Sequence, residues 1–377
     1  MQNQSKKQSQ KRPVLAGLDR LLADNETIEI LSHRQVGLLT NHASATAAGI
    51  TASRALSQRL TEAGAPPIRL YTPEHGIHLS AHAGDPVDNT IDPSTGLAVQ
   101  SLYGGGGLDE TTSFEDIDSL IIDLRDVGVR CYTYAATAAQ AARRALELHV
   151  EVIVCDRANP LGPSAEGPRP EADRRSFLAF FDVPFVHGQT LAELLSRHVA
   201  PAIGEAPYLV YPADVSLRAT LGWSPPSPAL PHPDAIAAYA ALVLLEATNV
   251  SEGRSSSVSF RSISARNLDA ERLARDIPDW NTGFRALPGP VTPMRGPDAG
   301  TRLPGVTFWP TKAQHQSPLL LGIHLLAWLR DYHPDFVWLP GHDGSPGGAI
   351  DTLFGRSDLR QQLDAGLNAS EIVDSWR

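Results

Sequence analysis

Cysteine is nearly absent from this chain. Only Cys131 and Cys155 occur among 377 residues, too few for a disulfide framework. Both lie in apolar, strand-like runs (GVRCYTY and EVIVCDR) where a thiol packs as a small hydrophobe, an arrangement suited to a reducing compartment. Long apolar runs are missing too, since none approaches the roughly 18 residues that span a bilayer. The opening MQNQSKKQSQKRP is polar and basic without the apolar centre of a secretory signal. It reads as a loose tail over residues 1–13, and the chain is expected in the cytoplasm. Positive charge is short, with 32 Lys+Arg against 42 Asp+Glu for a net charge of -10, which argues against nucleic acid as a general partner. The first strand-like run is followed by TNHASATAAG, with no G-x-G-x-x-G. The tetraglycine 104–107 lacks a following Gly-Lys-Ser/Thr and reads as a surface turn. No nucleotide cofactor and no internal repeat are therefore expected.

What is present supports a large soluble fold. Hydrophobic residues make up 42% and charged residues 20%, enough apolar surface for a well-buried core. Apolar β-rich runs at 35–40, 68–72, 119–124 and 151–155 alternate with helix-period runs at 50–63 and 133–149, the pattern of an α/β fold with a parallel sheet. Thr190-Leu-Ala-Glu193 opens a further helix with a capping box. The proline-rich 223–233 admits neither helix nor sheet, so a boundary there divides 14–225 from 226–377. Beyond it the pattern predicts helices at 234–247, 268–277, 319–332 and 357–376, a polar segment at 249–257 and a Gly/Pro-rich stretch at 287–304.

In doubly wound α/β folds ligands bind outside the carboxyl ends of the strands, and here those positions are polar. They carry Asn41 and His42, then Glu74 and His75, then Asp123, Arg125 and Asp126, then Asp156, Arg157 and Asn159. Asp and Asn at such places also serve as caps and turn formers. Glu74, His75, His78 and His82, with Asp85 nearby, invite a zinc reading, but their spacing does not match H-E-x-x-H and no second compact His/Cys set completes a tetrahedron. Carboxylates on separate strand ends suit glycoside hydrolysis, which uses one acid and a second group as base, nucleophile or electrostatic support. Glu74 is the candidate acid, because a desolvated rim favours the neutral carboxyl. Asp126 and Glu166 are alternative second carboxylates. Asp123, inside LIIDL, is expected to be buried and paired with Arg125 or Arg130. Arg130, Tyr132 and Tyr134 would share one face of an extended segment, either as a platform for a sugar carboxylate or as core.

Taken together, VGLLTNHA, YTPEHGIHLSAHAGDPV, SLYG, DLRDVGVRCYTY, DRANPLG with AEGP, HGQTLAELL, PPSP, EATNVSEGR, LLLGIHLLAWLRDYHPDFVW and IDTLFGRSDLRQQLDAGLNASEIVDSW resemble the exo-β-N-acetylmuramidases, a glycoside hydrolase family once known as a bacterial domain of unknown function. The resemblance runs from about residue 17 to 376. It implies a Rossmann-like N-terminal domain, a smaller α+β C-terminal domain and an active site in the cleft between them. It implies release of terminal β-linked N-acetylmuramic acid from peptidoglycan, with Glu74 catalytic and His75 holding that carboxylate or the sugar. Asp126, Arg130, Tyr132, Asp156, Arg157, Asn159, Glu166, Glu252 and Arg254 match motif positions and line the site by the same resemblance. In such a mechanism the sugar's own acetamido group is a further choice for the second role. Arg130, then Arg157, would meet the lactyl carboxylate. The chain departs from the family where DxQDVGVR reads DLRDVGVR, placing a cation at Arg125, where DRPNP reads DRANP, and where GRGT reads GRSS from Gly253. Many relatives are exported, whereas here imported fragments are the expected substrate. Two other readings stay open: a metal-dependent hydrolase built on the Glu74/His75/His78/His82 cluster, and a sugar-binding protein without turnover.

Overall fold

The computed structural model describes residues 15–104, 112–202, 208–213, 224–311 and 316–376. The N-terminal tail, most of the tetraglycine and the start of the proline-rich break lie outside the described residues. Seven strands, β1 (Val36–Thr40), β2 (Arg69–Thr72), β3 (Thr90–Asp92), β4 (Leu97–Ser101), β5 (Ser119–Asp123), β6 (Glu151–Cys155) and β7 (Tyr208–Tyr211), form one sheet in the order β3-β4-β2-β1-β5-β6-β7. Only β3 is antiparallel to its neighbour. Without it, the parallel strands in chain order run 3-2-1-4-5-6, the order of the Rossmann fold.

The central strands form because the middles of VGLLT and SLIID are apolar, and both strands are buried along their whole length. At Gly37 a side chain would crowd its neighbours: a Cβ there would lie 2.7 Å from Ile117 and 2.9 Å from the Tyr71 ring. Helices α1 (Gly17–Ala23), α2 (Asn25–Ser32) and α3 (Ala52–Glu62) cover one sheet face. Helices α4 (Thr133–Glu147) and α5 (Leu191–His198) cover the other. The α5 capping box forms as its sequence predicts.

The second half contributes α6 (Pro233–Leu242), β8 (Ser262–Ser264), α7 (Ala270–Asp276), β9 (Phe284–Val291), β10 (Leu303–Pro310), α8 (Pro318–Tyr332), α9 (Gly348–Phe354), α10 (Asp358–Asp364) and α11 (Ala369–Asp374). The Gly/Pro-rich stretch holds the end of β9, the connecting turn and the start of β10 in an antiparallel hairpin, with sheet order β8-β10-β9. Pro288 and Pro290 are tolerated because β9 is an edge strand. Pro304 and Pro310 fall outside the Gly305–Thr307 segment that pairs with β8. The single helix expected over 357–376 is two, broken at Gly366 (φ 87) and restarted by an Asn368 capping box. The helix expected over 234–247 tightens to a 3-10 turn at Val243–Ala247. No helix among the described residues is long and apolar enough to cross a membrane.

Candidate active site

The chain leaves β1 for β2 and β4 on one side and β5 for β6 and β7 on the other. A crevice at that reversal is where such folds bind ligands. Glu74 follows β2 beside it and is 5% exposed. Its Oε1 accepts the Gly84 N–H at 2.7 Å, and its Oε2 lies 2.5 Å from the hydroxyl of Thr133, the first residue of α4. The Tyr103 hydroxyl is a third partner; burial first, then the Glu74 charge, pushes that phenol up. His75 occupies left-handed backbone (φ 71), a conformation costly for a residue with a Cβ. Its Nδ1 lies 2.8 Å from the Ala81 carbonyl oxygen and donates to it. Burial lowers the His75 pKa, so the ring is a neutral brace for the 75–84 loop.

A second acidic group faces the same region. Arg254 donates to Glu252 Oε1 at 3.0 Å and makes a very short contact with Glu246, while its guanidinium sits 4.9 Å from the Phe260 ring centroid. The Glu246 side chain keeps a third of its surface open. Burial pushes its pKa up to about 7 against the pull of Arg254, with the charges of Glu252 and Glu74 adding to the rise. Arg254 is in turn held charged by the two carboxylates competing for it. The charge of Glu74 adds to the environment of Glu246 and Tyr239, and that of Arg254 to the environment of His75. Glu246 escaped the sequence reading although EATNVSEGR contains it; of that run only Glu252 and Arg254 stand out by motif. Ser255, where the family usually has glycine, keeps a glycine-like φ of 63.

Several expected site residues turn out to hold the scaffold. Arg130, Tyr132 and Tyr134 do not share an extended face, because α4 begins at Thr133 and coils the segment. Arg130 is 3% exposed and donates to the carbonyl oxygens of Pro168, Val183 and Phe354. Burial lowers its pKa to about 10. Tyr134 is fully buried with its hydroxyl on the Pro226 carbonyl, and the Tyr132 ring packs 4.7 Å from it. Asp123 is buried and paired, but with Arg157, in a two-point contact of 2.6 and 2.8 Å, and not with Arg125 or Arg130. Asp156 accepts the Ala192 N–H at the start of α5. Asn159 bridges Gln189 O and Leu161 N. Asp126 accepts the Gly128 N–H at 2.7 Å and lies 3.3 Å from Nε2 of buried His187. His187 Nδ1 accepts the Gln189 N–H.

Asn41 and Arg125 remain at the crevice. Asn41 Oδ1 accepts the Ala43 N–H, and Arg125, half-buried, approaches the Ala43 carbonyl at 3.4 Å. Burial lowers Arg125 to about 10. Glu166 lies elsewhere, in a cavity of about 730 Å³ between the two halves of the chain. It accepts the Leu319 N–H at the start of α8. Burial pushes it up to about 7, and no charge from the Glu74 cluster contributes. The four residues of the suspected metal cluster do not converge: His75 turns to Ala81, and the exposed His78 packs its ring 4.7 Å from His42. Among the described residues no three His, Cys, Asp or Glu side chains gather to hold a metal ion.

A Rossmann-like sheet with a firmly held carboxylate beside its crevice fits a hydrolase of the glycosidase kind. Family models described as exo-beta-N-acetylmuramidase NamZ, N-terminal and C-terminal, match residues 36–234 and 237–377. The chain belongs to this family of glycosidases. It is 31% identical to the peptidoglycan beta-N-acetylmuramidase NamZ of Bacillus subtilis, over 99% of this chain and 90% of that one. Two crystal structures of DUF1343 family proteins from Bacteroides fragilis have the same fold, each 25% identical and aligned over 97% of this chain. Their TM-scores are 0.81, over 95% of the first protein, and 0.68, over 94% of the second.

Proposed function

We propose that this chain releases terminal β-linked N-acetylmuramic acid from the non-reducing end of peptidoglycan fragments, with Glu246 and Glu74 as its two working carboxyls. The observation that carries the assignment is the fixation of Glu74 by Gly84 and Thr133 at the end of β2 beside the crevice. Oε1 of Glu74 is held by the Gly84 N–H and Oε2 by the Thr133 hydroxyl, which fixes the carboxyl beside the crevice, where it can face developing positive charge. In this reading the proton comes from Glu246, whose pKa burial raises to about 7 against the pull of its ion-pair partner Arg254. It passes to the glycosidic oxygen as the bond to the anomeric carbon breaks. Glu74 supplies the negative charge that an oxocarbenium-like transition state demands, and water adds to the anomeric carbon as its proton passes back to Glu246. Arg125, at the end of β5 in the crevice, pairs with the lactyl carboxylate in place of Arg130. We place the reaction in a reducing compartment, on fragments already imported, because Cys131 and Cys155 are free buried thiols.

Hydrolysis of a chromogenic β-N-acetylmuraminide beside the matching β-N-acetylglucosaminide tests this. Wild type should release the muraminide, with a fall in rate above about pH 7. Glu246→Gln should abolish that alkaline limb and lower kcat by about 10² to 10⁴-fold, and Glu74→Gln should lower kcat without moving the limb. An alkaline limb that survives in Glu246→Gln would remove that residue from the acid role. Release that disappears with chelator would instead favour metal-assisted hydrolysis.

A further inference from the structure

We propose that the outer face of the β9–β10 hairpin, together with the cavity beside it, is a second saccharide-binding surface that holds a glycan strand bearing carboxylates away from the Glu74 site. Arg285 and Trp309 are directly paired across the hairpin, and Leu287 pairs with Thr307 on the next rung of the same face. The opposite face carries Phe284, Val306 and Phe308, all buried. Core packing therefore claims one face and leaves the other open. Trp309 is 39% exposed and Leu287 62% exposed, and an exposed large apolar pair is the informative exception to burial.

The same face runs into the interdomain cavity, which Arg285 and Thr311 line with Glu166, Asn281 and Ser317. None of the Glu74 cluster lines it. From Thr307 to Thr311 the strand direction covers about 14 Å, a platform longer than one sugar ring. Its chemistry is that of a carbohydrate site: an indole for the apolar face of a pyranose, hydroxyl and amide groups for its alcohols, and one guanidinium. Arg285 donates to its neighbour's Phe284 carbonyl, and among the described residues no carboxylate lies within ion-pair distance of it. On a chain of net charge -10 such a cation recognises an anionic group of the ligand. The choice of a muramic-acid strand rests on the proposed function; the surface itself is drawn from the hairpin and the cavity.

The test uses the full chain carrying Glu74→Gln, titrated calorimetrically with peptide-free peptidoglycan strands and with a neutral chitin oligosaccharide. Adding Trp309→Ala should weaken strand binding about tenfold, the loss of roughly one aromatic contact, and Trp309→Phe should restore most of it. Adding Arg285→Gln should weaken binding of the strand but not of the neutral oligosaccharide. In the otherwise wild-type enzyme, Trp309→Ala should lower the ratio of kcat/KM on strands to kcat/KM on the chromogenic monosaccharide by a similar factor. An unchanged Kd, or no strand binding by the Glu74→Gln protein, would overturn the proposal. A wild-type enzyme inactive on the muraminide would overturn the proposed reaction alone, because the titration does not depend on turnover.

Discussion

Arg125, Arg130 and Arg157 carry the same signature in the sequence, a guanidinium at or just past a strand end. Their surroundings divide them: Arg157 neutralises Asp123, Arg130 pins three carbonyls, and Arg125 stays at the crevice. The carbonyls under Arg130 are 38, 53 and 224 residues away in sequence. No local pattern encodes such partners. Glu166 shows the same limit from the acidic side, since its motif does not reveal that it faces a cavity apart from Glu74. Its burial makes a prediction about stability. Its folded pKa of about 7 stands above the ordinary 4.5, so the folded state holds a proton there that the unfolded state has released. That contribution is fully present below about pH 4.5 and is lost as pH rises through 7. Glu166→Gln should therefore match wild type near pH 4.5 and exceed it above pH 7, by at most about 3 kcal/mol and less for its partial exposure. Urea denaturation at several pH values measures this, and parallel curves for the two proteins would contradict it.

Helix α5 shows which elements a sequence exposes and which it hides. Thr190 and Glu193 cap it from within three residues, so TLAE announces its start. Asp156 caps the same end through the Ala192 N–H from 36 residues away, and in the sequence it looks like a ligand-binding strand end. The prediction is that Thr190→Ala and Asp156→Ala each cost about 1 kcal/mol of stability. Asp156→Ala should leave the specificity for muraminide over glucosaminide intact; a collapse of that ratio would return Asp156 to the substrate site. The buried strands β1, β5 and β6 were legible for the same reason that Thr190 was: their apolar runs suffice. The β9–β10 hairpin was not, because its prolines argue against sheet until the partner strands are known, and edge position depends on the whole topology.

At the scale of the whole molecule, the two halves defined by sequence do not own separate cores. One continuous cluster runs from Leu39 and Tyr71 under the sheet, through α4 and α5, to Ile236, Leu325, Phe354 and Ile372. Polar contacts cross at the same place. The Tyr134 hydroxyl reaches Pro226 O, Arg130 reaches Phe354 O, and the Leu319 N–H at the head of α8 reaches Glu166. Domains joined by a small polar interface move and unfold independently, whereas a shared apolar core ties them into one cooperative unit. This matters for the chemistry, because Glu74 comes from one half and Glu246 from the other, and their mutual placement depends on contacts across the halves such as Tyr132, before α4, against Tyr239 of α6. The expected outcome is one calorimetric transition for the full chain. Residues 226–377 expressed alone should show no cooperative melt, having lost the face against which α6 and α8 pack. Two well-separated transitions, or a fragment that melts cooperatively by itself, would mean that the halves are independent bodies, and the site would then depend on their closing over the substrate.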